Sequence, residues 1–110
     1  MELNAYQQLA KRTWNPPERD KILDINYLTL GVTNEAGEVA GKIKKVLRGD
    51  YIMSPDVKYN IAQELGDVLW YVSQLAQELG FDLDTIAAMN IAKLESRQIR
   101  NVLKGDGDKR

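Results

Sequence analysis

The sequence contains no cysteine and no histidine. The absence of cysteine excludes disulfide bonds, thiolate nucleophiles and Cys-ligated zinc or iron–sulfur sites. The absence of histidine excludes Ser-His-Asp and Cys-His catalysis and imidazole general bases. If the protein is an enzyme, its chemistry must come from carboxylates, lysines, hydroxyl groups or a hard cation bound by oxygen atoms.

An excess of one charge and long hydrophobic runs are absent as well. Fifteen basic residues face sixteen acidic ones, for a net charge of -1, which argues against binding to a nucleic-acid polymer. No segment approaches the roughly 20 apolar residues that span a bilayer. Residues 1–4 lack the basic start and apolar run of a signal peptide. We therefore expect a cytoplasmic protein that does not associate with membranes.

The 110 residues suit one domain spanning 1–110. Ser54-Pro55 is a helix start signal, Asp82 is another N-cap, and Gly49 and Gly80 are stop signals. The predicted helices span residues 3–13, 20–48, 55–79 and 83–103. Short connections favour an antiparallel, all-α bundle of about four helices. Residues 104–110 are polar, and we expect them to be mobile unless they fold over a ligand.

Two helices carry interaction seams with alternating spacings of three and four residues. The third helix has an apolar seam: Ile61, Leu65, Val68, Val72, Leu75 and Leu79. The second helix has a seam with two charged members: Ile25, Leu28, Val32, Glu35, Val39, Lys42 and Val46. Glu35 and Lys42 thus occupy positions whose neighbours in the series are apolar.

Two acidic pairs with i, i+3 spacing lie at or beside these seams: Glu35 with Glu38, and Glu64 with Asp67. Four carboxylates near a helix interface repel one another unless a cation compensates, and magnesium prefers such oxygen ligands. In the alternative reading, Glu38 pairs with Lys42 on the same helix and the other acids are solvated.

Three further groups of residues each have two interpretations. The fourth helix carries a polar stripe, Asn90, Lys93, Arg97 and Arg100, which is either a solvated face or a phosphate-binding surface. Glycines inside predicted helices indicate either close helix approach and room for a ligand, or kinks: Gly31, Gly37, Gly41 and Gly66. The aromatic residues Trp14, Trp70 and Tyr71 either stack on a base or pack in the core.

Three segments together resemble the MazG-like nucleotide pyrophosphohydrolases: residues 31–39 (GVTNEAGEV), 64–71 (ELGDVLWY) and 90–97 (NIAKLESR). The ending Gly105-Asp106-Gly107-Asp108 with Arg110 is also similar to that family, and the resemblance covers residues 20–110. It implies an all-α fold completed by oligomerisation, as a homodimer or homotetramer with sites near subunit interfaces. It also implies magnesium dependence, with manganese as a substitute.

The implied reaction is hydrolysis of nucleoside triphosphates to monophosphate and pyrophosphate, a house-cleaning activity on the nucleotide pool. Glu35 and Glu38 match the second and third acids of the family motif, and Asn34 stands where its first glutamate is often found. The predicted catalytic and metal-binding residues are Glu35, Glu38, Glu64 and Asp67. The predicted substrate-binding residues are Lys42, Asn90, Lys93 and Arg97.

Two other functions are compatible with the same residues. The first alternative is a non-catalytic helical module that self-associates through its seams. The second is a dUTP or phosphoribosyl-ATP pyrophosphohydrolase of the same superfamily. Base selection depends on pocket shape. A magnesium-dependent stabilisation and release of pyrophosphate would separate the enzymes from the non-catalytic module.

Overall fold

The computed structural model describes residues 1–17 and 20–110. It contains four helices: α1 (Leu3–Lys11), α2 (Lys21–Arg48), α3 (Pro55–Glu78) and α4 (Leu83–Ile99). The described residues form no strand. The prediction of an all-α fold with about four helices is therefore confirmed.

Three helices begin at N-cap side chains, two of which, Ser54 and Asp82, are predicted from the sequence. The Asp20 carboxylate accepts a hydrogen bond from the Ile22 amide at 2.9 Å at the start of α2. The Ser54 hydroxyl accepts from the Val57 amide at 3.2 Å at the start of α3. At the start of α4, Asp82 accepts from the Thr85 amide at 2.7 Å. Each cap satisfies an amide that has no partner inside its helix.

The three long helices end in the same way, with a left-handed residue just after the last turn. Gly49 and Gly80 have φ values of 90° and 84°, at the predicted stops of α2 and α3. At the end of α4 the left-handed residue is Asn101, with φ 59°, and the Val102 amide donates back to the Arg97 carbonyl at 2.8 Å. Helix α4 therefore ends four residues before the predicted position 103, because asparagine tolerates this conformation. Helix α1 ends at Lys11 rather than 13, in a turn closed by the Thr13 amide.

Helices α2 and α3 form the main interface and run antiparallel. Their paired residues show the direction, since Gly31 lies against Tyr71 while Lys42, farther along α2, reaches back to Glu64. The predicted seam of α2 is confirmed: Leu28 is fully buried, and the other six members are at least partly buried.

The predicted seam of α3 is confirmed only in part. Ile61, Val68, Val72 and Leu75 are partly buried, but Leu65 and Leu79 are both 54% exposed. A second series with the same spacing is partly buried throughout: Val57, Ile61, Glu64, Val68, Tyr71 and Leu75. A glutamate and a tyrosine thus face α2, where the sequence predicts Leu65 and Val72.

Helices α1 and α4 pack on the second half of α3 through a buried amide. The Gln7 side chain donates to the carbonyls of Ser73 (3.3 Å) and Phe81 (3.2 Å) and accepts from the Leu83 amide (3.0 Å). Gln7 is 2% exposed, so these three bonds compensate for the burial of its polar atoms. They join α1, the end of α3 and the start of α4.

The chain is more extended than a compact monomer of its size. Its accessible surface is 8092 Å², compared with about 6200 Å² expected for a compact monomer of this mass. Its radius of gyration is 16.9 Å, compared with about 13 Å expected for 110 compact residues. Among the described residues only four apolar residues are buried, with at most 8% of their surface exposed: Ala10, Leu28, Ala76 and Leu83. No helix in this part of the chain is long and apolar enough to cross a membrane.

Candidate functional site

Three carboxylates converge where the middle of α2 faces the first half of α3. Glu35, Glu64 and Asp67 each place one oxygen within 4.8 Å of the others. Glu35 and Glu64 are partly buried because both lie in the seams, while Asp67 is exposed, one turn beyond Glu64. We call these three residues the acidic cluster. It unites one member of the first predicted acidic pair with both members of the second.

Glu38, the fourth predicted ligand, is exposed and is not among the carboxylates that converge in the described part of the chain. Its predicted alternative partner, Lys42, lies instead 3.4 Å from Glu64 across the helix interface. Lys42 is thus drawn into the margin of the acidic cluster, where it compensates one of the three negative charges.

The environment of the acidic cluster changes the pKa of Glu35. Burial raises the pKa of Glu35 above its usual range, and the negative charges of Asp67, Glu64 and Glu38 raise it further. Glu38 therefore belongs to the same electrostatic neighbourhood although it does not touch the other three acids. A cation bound here would relieve the repulsion that these charges share.

Four aromatic rings lie beside the acidic cluster and contact one another. Trp14 stacks on Tyr27 with centroids 5.9 Å apart and planes at 23°. Trp70 meets Tyr71 edge to face at 4.9 Å, and Trp14 meets Trp70 edge to face at 6.2 Å. We call these four residues the aromatic cluster. The predicted aromatic candidates Trp14, Trp70 and Tyr71 all belong to it, and each packs against another ring.

Tyr71 separates two cavities next to the acidic cluster. The first, of about 400 Å³, is lined by Thr13, Glu35, Asp67, Trp70 and Tyr71. The second, of about 600 Å³, is lined by Tyr27, Leu30, Gly31, Thr33, Asn34 and Tyr71. Both volumes lie in the range of small-molecule sites. A polar, acidic chamber thus adjoins a larger and more apolar one.

Sequence reasoning missed Thr13 and Tyr27 as members of this site. Thr13 accepts a hydrogen bond from the Trp70 indole nitrogen at 2.8 Å, and a hydrogen bond with Tyr27 raises the pKa of the Tyr71 hydroxyl. Tyr27 has a signal in the sequence, because it precedes Gly31 by one helical turn and so shares its face. Thr13 has none, since its place depends on how the segment after α1 folds against α3.

The basic residues predicted to bind phosphate lie elsewhere in the single chain. Lys93 and Arg97 are on α4, where they contact Asp108 of the following segment, and Asn90 lies with Lys93 beside a cavity of about 380 Å³. Helix α4 contacts α1 and α3 but, among the described residues, makes no contact with α2. The structure therefore brings Lys42 to the acidic cluster but leaves Asn90, Lys93 and Arg97 on a separate surface.

The acidic cluster has the chemistry of a divalent metal site. Three carboxylates supply hard oxygen ligands on two helices, and the open side at Asp67 leaves room for water or substrate oxygens, which magnesium retains in protein sites. Burial and the neighbouring acids both raise the pKa of Glu35, and a bound cation would offset the contribution of those acids. The residues present fit a metal of the magnesium type.

Comparison with known proteins identifies the family of the chain. Residues 24–101 match the MazG nucleotide pyrophosphohydrolase domain, a range that contains the whole acidic cluster as well as Lys93 and Arg97. The gene 37 protein of Mycobacterium phage L5 is 41% identical over 114 aligned positions that cover the full length of both chains. No solved structure matches the chain significantly. The matched domain, with its convergent acids on an all-α scaffold, places this chain in the MazG nucleotide pyrophosphohydrolase family.

Proposed function

We propose that the protein hydrolyses nucleoside triphosphates to a nucleoside monophosphate and pyrophosphate in the presence of magnesium. The observation that carries this proposal is the convergence of Glu35, Glu64 and Asp67 beside a cavity with aromatic walls. The acids suit a metal-bound polyphosphate, and the neighbouring cavity suits a nucleoside. Membership of the family supports the reaction class. The proposal places this activity in the cytoplasm, as house-cleaning of the nucleotide pool.

The chain's own residues supply positioning and proton transfer. Glu35, Glu64 and Asp67 would hold the metal, and we keep Glu38 in the predicted catalytic and metal-binding set because it shares their electrostatic neighbourhood. When bound, the metal would neutralise phosphate charge and lower the pKa of a water molecule. A carboxylate of the cluster accepts the proton that the attacking water loses. The water oxygen bonds to the α-phosphorus, and the bond to the bridging oxygen breaks, so that pyrophosphate leaves with the electron pair.

Aromatic and basic residues would bind the rest of the substrate. Tyr71 faces both cavities, so a base in the larger cavity can rest against its ring while the phosphates reach the acidic cluster. Lys42, 3.4 Å from Glu64, is close enough to the cluster to pair with a phosphate oxygen. Self-association would bring Asn90, Lys93 and Arg97 of a second copy toward the acids that they do not reach within one chain.

The test is a panel of ribo- and deoxynucleoside triphosphates with magnesium, with pyrophosphate release as the readout. The panel includes dUTP and phosphoribosyl-ATP, so that it also resolves the substrate within the superfamily. We expect Glu64→Gln to lower kcat by about 10²-fold or more, because it removes a charge that acts at the reacting phosphate. Glu95→Gln, the same change at an exposed acid of α4, is the matched control and should retain full activity.

The non-catalytic alternative rests on a separate observation. The large accessible surface and the exposed apolar side chains of α2 and α3 favour a module that self-associates. If no nucleotide on the panel yields pyrophosphate while the protein still forms stable oligomers, the enzyme proposal is wrong and the interaction module remains. Pyrophosphate release that Glu64→Gln abolishes and Glu95→Gln retains supports the enzyme.

A further inference from the structure

The two cations of α4 share a single carboxylate supplied by the segment that follows the helix. Oδ1 of Asp108 lies 3.1 Å from Nζ of Lys93 and 3.2 Å from Nη2 of Arg97. The same Arg97 nitrogen donates to the main-chain carbonyl of Asp108 at 2.8 Å. A single oxygen of Asp108 therefore forms ion pairs with both Lys93 and Arg97.

Residues 101–110, which we call the tail, hold Asp108 in this position through their own hydrogen bonds. The Arg110 guanidinium donates to the carbonyls of Val102 (3.1 Å), Leu103 (2.9 Å) and Gly107 (2.6 Å). Arg100, at the end of α4, donates to the Arg110 carbonyl at 2.7 Å. Gly107 has φ 81°, a conformation that permits the tight turn just before Asp108. The tail is thus a folded loop and not a loose strand.

Arg97 is built into the protein, whereas the carboxylate that it binds lies at the surface. The Arg97 side chain is 6% exposed and that of Lys93 is 37% exposed, while that of Asp108 is 82% exposed. Nε of Arg97 is buried and has no hydrogen-bond partner among the described residues. Asp108 also borders the cavity lined by Ile86, Met89, Asn90 and Lys93. The exchangeable member of this contact is therefore the carboxylate, and the fixed member is Arg97.

We propose that Asp108 is an internal competitor for oxyanions, and that a phosphate group must displace it to bind Lys93 and Arg97. A carboxylate and a phosphoryl group present similar oxygens to lysine and arginine, so they compete for the same donors. The identity of the anion as a polyphosphate rests on the proposed function, but the competition itself does not. Through this contact, the tail lowers the affinity of Lys93 and Arg97 for phosphate.

The extent to which Asp108 weakens phosphate binding depends on the fraction of molecules in which the tail is displaced. A ligand that binds only when the tail is displaced has its apparent dissociation constant raised by the inverse of that population. Exposed ion pairs are individually weak. The Asp108 contact involves two cations and a backbone carbonyl, so we expect a penalty of about threefold to tenfold.

The experiment is calorimetric titration of metal-free protein with inorganic pyrophosphate at an ionic strength of about 0.15 M, where distant surface charges are screened. Asp108→Asn keeps the shape of the side chain and removes its charge, and should bind pyrophosphate about threefold to tenfold more tightly than the unaltered protein. Asp106→Asn is the matched control, because it removes the same charge from the same loop at an exposed position. It should remain within about twofold of the unaltered protein, the change expected from a screened long-range charge.

Adding Lys93→Ala to Asp108→Asn should abolish the gain, which assigns the pyrophosphate to this cation pair. Equal or weaker binding by Asp108→Asn than by Asp106→Asn would overturn the proposal, and so would the absence of measurable binding to Asp108→Asn at millimolar pyrophosphate. As a second readout, pyrophosphate should increase the backbone mobility of Gly105 and Gly107 in the unaltered protein, measured by amide NMR relaxation. Binding that leaves this mobility unchanged contradicts displacement. No nucleotide or metal is present, so the outcome is independent of whether the protein hydrolyses nucleotides.

Discussion

The ring of Tyr71 lies directly over the backbone of Gly31, so close that α2 has no room there for a side chain. A methyl group at Gly31 would lie 2.7 Å from Cζ of the ring, and closer still to two other ring carbons. Because Tyr71 also forms the wall between the two cavities, this contact links the packing of α2 on α3 to the shape of the candidate site.

We expect Gly31→Ala to destabilise the protein by about 1–3 kcal/mol, since the added methyl forces Tyr71 or the helix to shift. Gly41→Ala is the control in the same helix, because a methyl group there meets no described atom within 4 Å. It should leave stability unchanged or raise it by up to about 1 kcal/mol, through better helix propensity. Chemical denaturation measures both. If the two variants have equal stability, the close contact between Gly31 and Tyr71 does not exist in solution.

Magnesium should raise the melting temperature, because the acidic cluster repels itself without a cation. We expect a rise of about 5 °C at roughly 10 mM magnesium if the ion binds with millimolar affinity. Glu35→Gln should melt at a higher temperature than the unaltered protein in EDTA, since all the charges that raise the pKa of Glu35 are acids. It should also lose the response to magnesium. A response that survives in Glu35→Gln would place the metal elsewhere.

Glu38→Gln tests the one predicted ligand that lies outside the cluster. We expect it to abolish turnover while the helices remain formed, because the substitution keeps the side-chain volume and removes the charge. Circular dichroism monitors the helices and pyrophosphate release monitors turnover. Full activity in this variant would remove Glu38 from the catalytic set and leave the three converging acids to act alone.

Acid should destabilise the start of α4, because it protonates the N-cap residue Asp82. Hydrogen bonds from the side chain and backbone of Thr85 lower the pKa of the Asp82 carboxyl. The carboxylate therefore stabilises the fold above its unfolded pKa near 4, and this contribution is lost as the pH falls through the lowered value. Asp82→Asn retains a capping oxygen that does not titrate. Between pH 6 and about pH 3, we expect the melting temperature of the unaltered protein to fall further than that of Asp82→Asn; parallel curves would argue against this cap.

Self-association should cover the apolar surface that α3 exposes in the single chain. Leu65 is 54% exposed, although its spacing fits an apolar seam, and a symmetric dimer is the commonest way to bury such a face. We expect sedimentation velocity to show a dimer or tetramer, and Leu65→Gln to shift it toward monomer with unchanged helicity. A 12.5 kDa monomer of the unaltered protein at micromolar concentration would show that α2 and α3 are complete without a partner.

The helices follow from the sequence, because the signals that start and stop them are local. Ser54 and Asp82 bond to amides three residues away, and Gly49 and Gly80 adopt conformations that few other residues accept. The i, i+3 spacing likewise places Glu64 and Asp67 on one side of α3 whatever the helix packs against. The family was recognisable for a related reason, since the resemblance rests on short motifs that each lie within one helix.

Tertiary contacts select the frame of α3, that is, the series of residues that faces α2. The series through Leu65 and the series through Glu64 both repeat every three and four residues and share Ile61, Val68 and Leu75, so spacing does not distinguish them, and hydrophobicity favours the series through Leu65. The frame through Glu64 is selected by long-range contacts: Lys42 pairs with Glu64, and Gly31 makes room for Tyr71. The contact of Asp108 with Lys93 and Arg97 is likewise absent from any local pattern, because it requires the tail to turn back along α4. Local hydrogen bonding thus determines the helices from the sequence, while the partners of buried charges depend on how those helices pack.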